Sequence, residues 1–203
     1  ETVYVPAKTV SGDFFYLKEI DEDSFIGLIG DVSGKGITAA LKISAFNVLF
    51  HEAILSSQDP YEILNTLNRK VGNYLGDRYV AACCFKFDFR RKKAKVVGAG
   101  INQFIFQTDK GRCERKIVKG PFLGMFENSI FDEELVQFDS GARFYFFTDG
   151  LDFVFDNDKM NDILLKKTVI PSFTNDLRKA LNEMLTDVDG INDDCTLITM
   201  EIQ

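Results

Sequence analysis

Four acidic turn motifs, each at the end of an apolar run, limit what this chain can fold into. They read Ser11-Gly12-Asp13, Gly30-Asp31-Val32-Ser33-Gly34-Lys35-Gly36, Thr148-Asp149-Gly150 and Asp193-Asp194-Cys195-Thr196. The adjoining runs, Phe25 to Ile29, Phe144 to Phe147 and Cys195 to Ile202, are rich in the β-branched and aromatic residues that favour strands. A carboxylate at the tip of a buried strand is costly unless something compensates it, because desolvation disfavours the charged form. Several such tips with flanking glycine predict strand ends converging on one oxygen-lined site. Hard divalent cations take carboxylate and carbonyl oxygens, so Mg²⁺ or Mn²⁺ is the natural occupant. The pattern points to a metal-dependent hydrolase.

The rest of the chain reads as one domain over 1–203, long enough to bury a sizeable core. Strands are predicted near 2–10, 13–19 and 24–31. The segment from Ile37 to Ser57 lacks Gly and Pro and is apolar on most sides, which predicts a largely buried helix. A second helix starts at Asp59 as N-cap, with Pro60 in the first helical position and Glu62 at capping-box spacing. Ile63, Leu64, Leu67, Val71, Tyr74 and Leu75 then fall on its apolar face. From Tyr79 to Thr148 short strands alternate with turns, including Arg90-Arg91-Lys92-Lys93 and Asp109-Lys110-Gly111. Helices are expected near 159–167 and 174–186, and a final strand from Asp194 or Cys195. Helices grouped in two stretches amid many strands give an α+β class rather than alternating βαβ.

Composition removes several function classes. A net charge of −7 argues against non-specific nucleic-acid binding, which needs a basic footprint. No apolar run approaches the roughly 20 residues of a membrane span, and no signal peptide opens the chain. The four cysteines include the adjacent Cys83 and Cys84, which would face opposite sides of a sheet, and none has zinc-finger spacing. A reduced, cytoplasmic protein is the expectation. Glu1 in place of Met suggests a piece of a longer chain with a regulatory domain upstream.

Taken together, Val5-Pro6-Ala7-Lys8, Ser11-Gly12-Asp13-Phe14-Phe15, the Gly30–Gly36 stretch with Ala39-Ala40-Leu41, Thr148-Asp149-Gly150 and Asp193-Asp194-Cys195-Thr196-Leu197 resemble a known family. The chain is similar to the bacterial SpoIIE/RsbU-type branch of the PPM metal-dependent serine/threonine phosphatases, from about Val5 to Ile202. Where relatives often carry Ala-Gly-His, this chain has Ala99-Gly100-Ile101-Asn102. The resemblance implies a β-sandwich of two antiparallel sheets flanked by helices, with the metal site between the sheets at one end. It implies that Asp31, Asp149 and Asp193 hold the metals, with Asp31 bridging two cations and the Val32 carbonyl available to one. Asp13 would bind metal directly or through water, and Asp194 would assist or orient its neighbours. Two Mn²⁺ or Mg²⁺ ions would neutralise phosphate oxygens and acidify a water for in-line attack on phosphorus. The implied substrate is a phosphorylated anti-sigma-factor antagonist, a small STAS-domain protein. Implied partners are an upstream sensor domain or activator protein and a second copy in a homodimer.

Competing readings of the same residues are weaker. Gly30 to Gly36 fails the Walker spacing, since Ile29 stands where the first Gly is needed and Gly36 replaces Ser or Thr. His51, the single histidine, lies in a helix with no Gly-x-Ser-x-Gly turn in the chain, so it reads as structural or surface. Lys35 is a turn residue or a partner for substrate phosphate. Acids such as Asp21, Glu22, Asp23, Glu133 and Glu134 read as solvated surface charge. The alternative function is a catalytically silent phosphatase-fold binding module. Finally, Asp31 lies only a few residues before the Ile37 helix, so that helix is expected to act as a lever on the site.

Overall fold

Two antiparallel sheets account for all the strands in the computed structural model, which describes residues 2–6, 11–34, 37–74, 79–151 and 193–203. The strands are β1 (Thr2–Val5), β2 (Asp13–Asp21), β3 (Ser24–Val32), β4 (Val80–Asp88), β5 (Lys93–Ala99), β6 (Gln103–Gln107), β7 (Cys113–Ile117), β8 (Glu133–Gln137), β9 (Arg143–Phe147) and β10 (Cys195–Glu201). One sheet runs β1-β10-β9-β6-β7 and the other β2-β3-β4-β5-β8. This is the α+β sandwich expected from the sequence, and the final strand begins at Cys195.

Phenylalanine fills the space between the sheets. Phe85 of one sheet stacks on Phe146 of the other with ring centroids 4.0 Å apart, and Phe87 meets Phe144 edge-on at 4.8 Å. Such pairs add about 0.5–1.5 kcal/mol each beyond the area they bury. Cys83 faces this inter-sheet core while Cys84 faces the helical side, as the alternation along a strand requires. All four cysteines are free thiols.

Helices α1 (Ile37–Ser56) and α2 (Pro60–Tyr74) cover the outer face of the β2–β8 sheet. Phe46, Phe50, Ala53 and Ile54 of α1 and Ile63, Leu64, Leu67 and Val71 of α2 are buried there. The expectation of a largely buried α1 is only half met. Leu41, Val48 and Leu55 are 67%, 59% and 82% exposed, because a helix lying on one sheet buries only the side it turns to it. The stretch Thr38–Ser56 is also long and apolar enough to span a bilayer by length and composition, contrary to the sequence reading. In this fold its inner side is packed on the sheet instead.

The start of α2 follows from local chemistry. Asp59 Oδ1 accepts from the Tyr61 and Glu62 N–H groups at 2.9 and 3.3 Å. The reciprocal half of a capping box is replaced, since the Asp59 N–H donates to Ser57 Oγ at 3.1 Å. Tyr74, expected on the apolar face, is exposed. The basic turn joins β4 to β5, with Lys92 at φ 52°, and Asp109-Lys110-Gly111 joins β6 to β7. The predicted helices near 159–167 and 174–186, and Leu75, lie outside the described residues.

Candidate active site

The strand pattern brings the acidic motifs to one end of the sandwich. Antiparallel pairing of β2 with β3 sets Asp13, the first residue of β2, directly opposite Asp31, next to the last of β3. In the facing sheet β9 ends at Phe147, so Thr148 and Asp149 leave it beside the start of β10, where Asp193 and Asp194 precede Cys195.

Asp13 fastens the two sheets together here. Its Oδ2 accepts from the Thr148 hydroxyl at 2.8 Å and the Thr196 hydroxyl at 2.7 Å. The Thr196 N–H donates back to Thr148 Oγ1 at 3.0 Å, and the Asp13 N–H donates to Ser11 Oγ at 2.9 Å. Asp13 is 4% exposed, so these hydroxyls replace the water its carboxyl loses on folding. Thr148 and Thr196 fall within two of the acidic motifs, but the sequence reading assigns them no role. Their signal is a hydroxyl next to or near the acids at a strand end, on the strand pair facing β2. Asp194 accepts the Gly12 N–H on its Oδ2 at 2.8 Å, and its own N–H donates to Asp193 Oδ1 at 3.0 Å. Asp194 thereby ties the β10 turn to the turn before β2.

The electrostatics are those of a site rich in negative charge. Burial pushes the Asp31 carboxyl up to about 7, and the charges of Asp13, Asp149, Asp193 and Asp194 add to the effect. Asp13 is pushed up to about 6, first by burial, against the lowering effect of its two threonine bonds. Asp149 is raised by partial desolvation and by Asp193, although it stands exposed on the wall of a cleft. Among the described residues Asp13, Asp31 and Asp149 have no ion-pair partner. Burial raises the Cys195 thiol to about 11, so it is no nucleophile at neutral pH.

Several observations test whether these residues fit a cation. The donors are oxygens throughout, as Mg²⁺ or Mn²⁺ requires. Gly12 lies so close to Asp31 and Val32 that a Cβ on it would stand 2.5 Å from Asp31 Oδ1 and 2.9 Å from the Val32 carbonyl oxygen. Bare glycine backbone thus walls the space where these two oxygens meet. Among the described residues, no three His, Cys, Asp or Glu side chains are drawn into a ready-made ligand cluster. The residues fit a hard divalent cation that draws them together. Asp13 differs from the rest, since one of its oxygens is already given to two hydroxyls.

A cleft of about 810 Å³ opens beside this acidic end, lined there by Asp31, Thr148 and Asp149. His51 is exposed on α1 and does not line it. Glu133 pairs with Lys95 at 2.7 Å and Glu134 with Lys116 at 3.2 Å, away from the acidic motifs, in keeping with their surface reading. Lys35 lies outside the described residues.

Known proteins share this architecture. The SiaA-PP2C domain of Pseudomonas aeruginosa superposes with a TM-score of 0.84 at 19% identity, over 100% of this chain and 85% of that one. RsbX, solved in complex with magnesium, superposes with a TM-score of 0.75 at 20% identity, over 100% of this chain and 94% of that one. The fold is therefore that of PP2C/PPM phosphatase domains. By sequence, the phosphoserine phosphatase RsbP of Bacillus subtilis (strain 168) is 26% identical over 156 residues, which is 74% of this chain but 39% of RsbP. Residues 21–203 match the family described as Stage II sporulation protein E, a span that holds Asp31, Asp149, Asp193 and Asp194 and leaves Asp13 just outside it. With that span covering most of the chain and the sandwich matching end to end, the chain belongs to the SpoIIE family.

Proposed function

We propose that this chain is a metal-dependent protein serine/threonine phosphatase. The observation that carries the reading is the set of raised carboxyls of Asp31, Asp13 and Asp149, without an ion-pair partner among the described residues, gathered where the two sheets meet, with Asp31 and Asp149 lining the cleft. Similarity to the phosphoserine phosphatase RsbP and the shared fold with RsbX, solved in complex with magnesium, support it.

Asp31, Asp149, Asp193 and the Val32 carbonyl would hold two Mn²⁺ or Mg²⁺ ions. The bound cations supply charge neutralisation for the phosphoryl group and an acidified water. The chain's own residues set the stage for this. Asp13 grips Thr148 and Thr196 and so fixes the register of the turns that carry Asp149 and Asp193. Asp194 holds Gly12 against Asp31. The cleft beside them receives the phosphoserine or phosphothreonine side chain. The substrate is a phosphorylated STAS-domain antagonist of an anti-sigma factor, in the cytoplasm, as the family resemblance implies. In the whole protein the domain answers to an upstream regulatory domain or activator, and a second copy of the chain is a further candidate partner.

The test is hydrolysis of p-nitrophenyl phosphate and of a phosphoserine peptide, with and without Mn²⁺ or Mg²⁺. Activity that appears with metal, vanishes with chelator and falls by orders of magnitude in Asp31→Ala and Asp149→Ala is expected. A folded domain with no activity in millimolar Mn²⁺ favours the silent binding module instead.

A further inference from the structure

The cleft has a second wall that the acidic chemistry leaves unused. It is built by the end of β7 and the segment between β7 and β8: Ile117, Phe122 and Ile130 line the same cleft as Asp31 and Asp149, with the oppositely charged Lys119 and Asp132 beside them. Phe122 and Ile130 are 39% and 78% exposed, so apolar side chains face solvent beside a highly charged site. Exposure of this kind in a loose loop would mean little. This segment is held at many points.

The Ala99-Gly100-Ile101-Asn102 stretch, which departs from the family pattern, supplies much of the hold. The Val118 N–H donates to the Asn102 carbonyl at 2.9 Å, and the Gly120 N–H donates to Asn102 Oδ1 at 3.0 Å. The Gly100 N–H donates to the Gly120 carbonyl at 3.0 Å. Gly100 has φ +89°, and a Cβ there would come within 2.7 Å of the Phe122 ring, so the ring seats on bare backbone. Tyr79 flanks it at 6.0 Å between centroids. From the helical side, buried Asn68 of α2 accepts the Gly124 N–H at 2.8 Å and donates to the Phe126 carbonyl at 2.8 Å. Leu123 and Val80 exchange backbone bonds at 2.9 and 3.2 Å.

We propose that Phe122, Ile117 and Ile130 form a docking shelf for the polypeptide on either side of the phosphoserine, and that they select apolar flanking residues. The inference rests on the phosphatase reading and adds the specificity surface to it. With the phosphate at the acidic end, the substrate chain has to lie along the cleft walls, and this wall is the one that carries exposed large apolar side chains. Rigid apolar surface favours a matching segment because little order is lost on binding.

The test uses two synthetic phosphoserine peptides of equal length, one flanked by leucine and valine and one by serine and asparagine, with p-nitrophenyl phosphate as a third substrate. Wild-type protein in Mn²⁺ should prefer the apolar peptide in kcat/KM by about tenfold, the scale of one or two apolar contacts in a pocket. Phe122→Ala and Ile130→Ser should erase that preference while p-nitrophenyl phosphate turnover stays at the wild-type level, which also certifies their fold. No preference in wild type, a preference that survives both substitutions, or an equal loss on all three substrates would overturn the shelf. So would a solution dimer of the wild type that both substitutions abolish, since the surface would then belong to a second copy. Wild-type inactivity on all three substrates overturns the phosphatase reading itself, and the shelf with it.

Discussion

Asp13 and Asp31 face each other across one strand pair yet do different work, and the difference lies in their partners. Asp13 meets two hydroxyls, whereas Asp31, among the described residues, lies against a bare glycine and in the field of four other carboxylates. Asp31→Ala should therefore abolish metal-dependent turnover, a loss of several orders of magnitude, with the circular-dichroism spectrum unchanged. Thr148→Val should act on stability instead. It removes the hydroxyl that donates to Asp13 and strands the Thr196 N–H that the hydroxyl accepts. Leaving buried polar groups unpaired costs about 1–3 kcal/mol, to be read as a shift in the urea midpoint. A midpoint equal to wild type would show that water takes over the bonds and that Asp13 is no fastening. The carboxylates themselves were legible in the sequence, because each sits in its own Gly- or acid-flanked motif. The threonine partners were not. Thr148 and Thr196 are 135 and 183 residues from Asp13, and only the alignment of one sheet on the other brings them together.

At the scale of elements, α1 joins the site to the outside of the molecule. It follows β3 within a few residues of Asp31 and packs Phe46 and Phe50 on the sheet, while the Tyr16 hydroxyl of β2 donates to the Ile43 carbonyl at 3.1 Å. A movement of α1 reaches both strands that carry Asp13 and Asp31. Substitutions at Ala45 and Leu49 should then change the Mn²⁺ concentration needed for half-maximal activity. Ile54→Ala, at a fully packed position, should in addition cost about 2–5 kcal/mol of stability. If all three variants alter stability alone, with metal dependence and turnover of the folded fraction unchanged, α1 is not a lever. The α2 start was legible because Asp59, Pro60 and the apolar spacing are local signals. The open side of α1 was not. A helix apolar nearly all round gives no period to say which side is covered, and that is settled by the sheet it happens to meet.

At the scale of the whole molecule, the carboxyls gathered at one end of the sandwich make stability depend on pH in an unusual direction. Asp13 and Asp31 have folded values of about 6 and 7 against 3.8 for the free side chain, and Asp149 is raised as well. Carboxyls raised in this way bind protons more tightly folded than unfolded. Their favourable contribution is complete below the unfolded value and is lost as pH climbs through the folded values. For Asp13, nearly fully buried, the rise from 3.8 to about 6 corresponds to roughly 3 kcal/mol. Asp31 adds less than its larger shift suggests, because solvent in the cleft screens it. Surface acids with lowered values, such as Asp21 and Asp88, work in the opposite sense but only at the acidic extreme. The metal-free domain should thus lose roughly 5–10 °C of Tm between about pH 4.5 and pH 7.5, at about 2–4 °C per kcal/mol for a chain of this size. Asp31→Asn should flatten that slope and raise the metal-free Tm at pH 7.5. Cations bound to the folded state alone reverse the loss, by about 2.7 kcal/mol at a hundred times the dissociation constant. Adding Mn²⁺ should accordingly lift the wild-type Tm most at pH 7.5 and hardly at all at pH 4.5, and should do little for Asp31→Asn. Thermal melts across that range decide the matter. A metal-free Tm that is flat or rising with pH, or an Mn²⁺ effect as large in Asp31→Asn as in wild type, would remove the charge-repelled cation site on which the phosphatase reading stands.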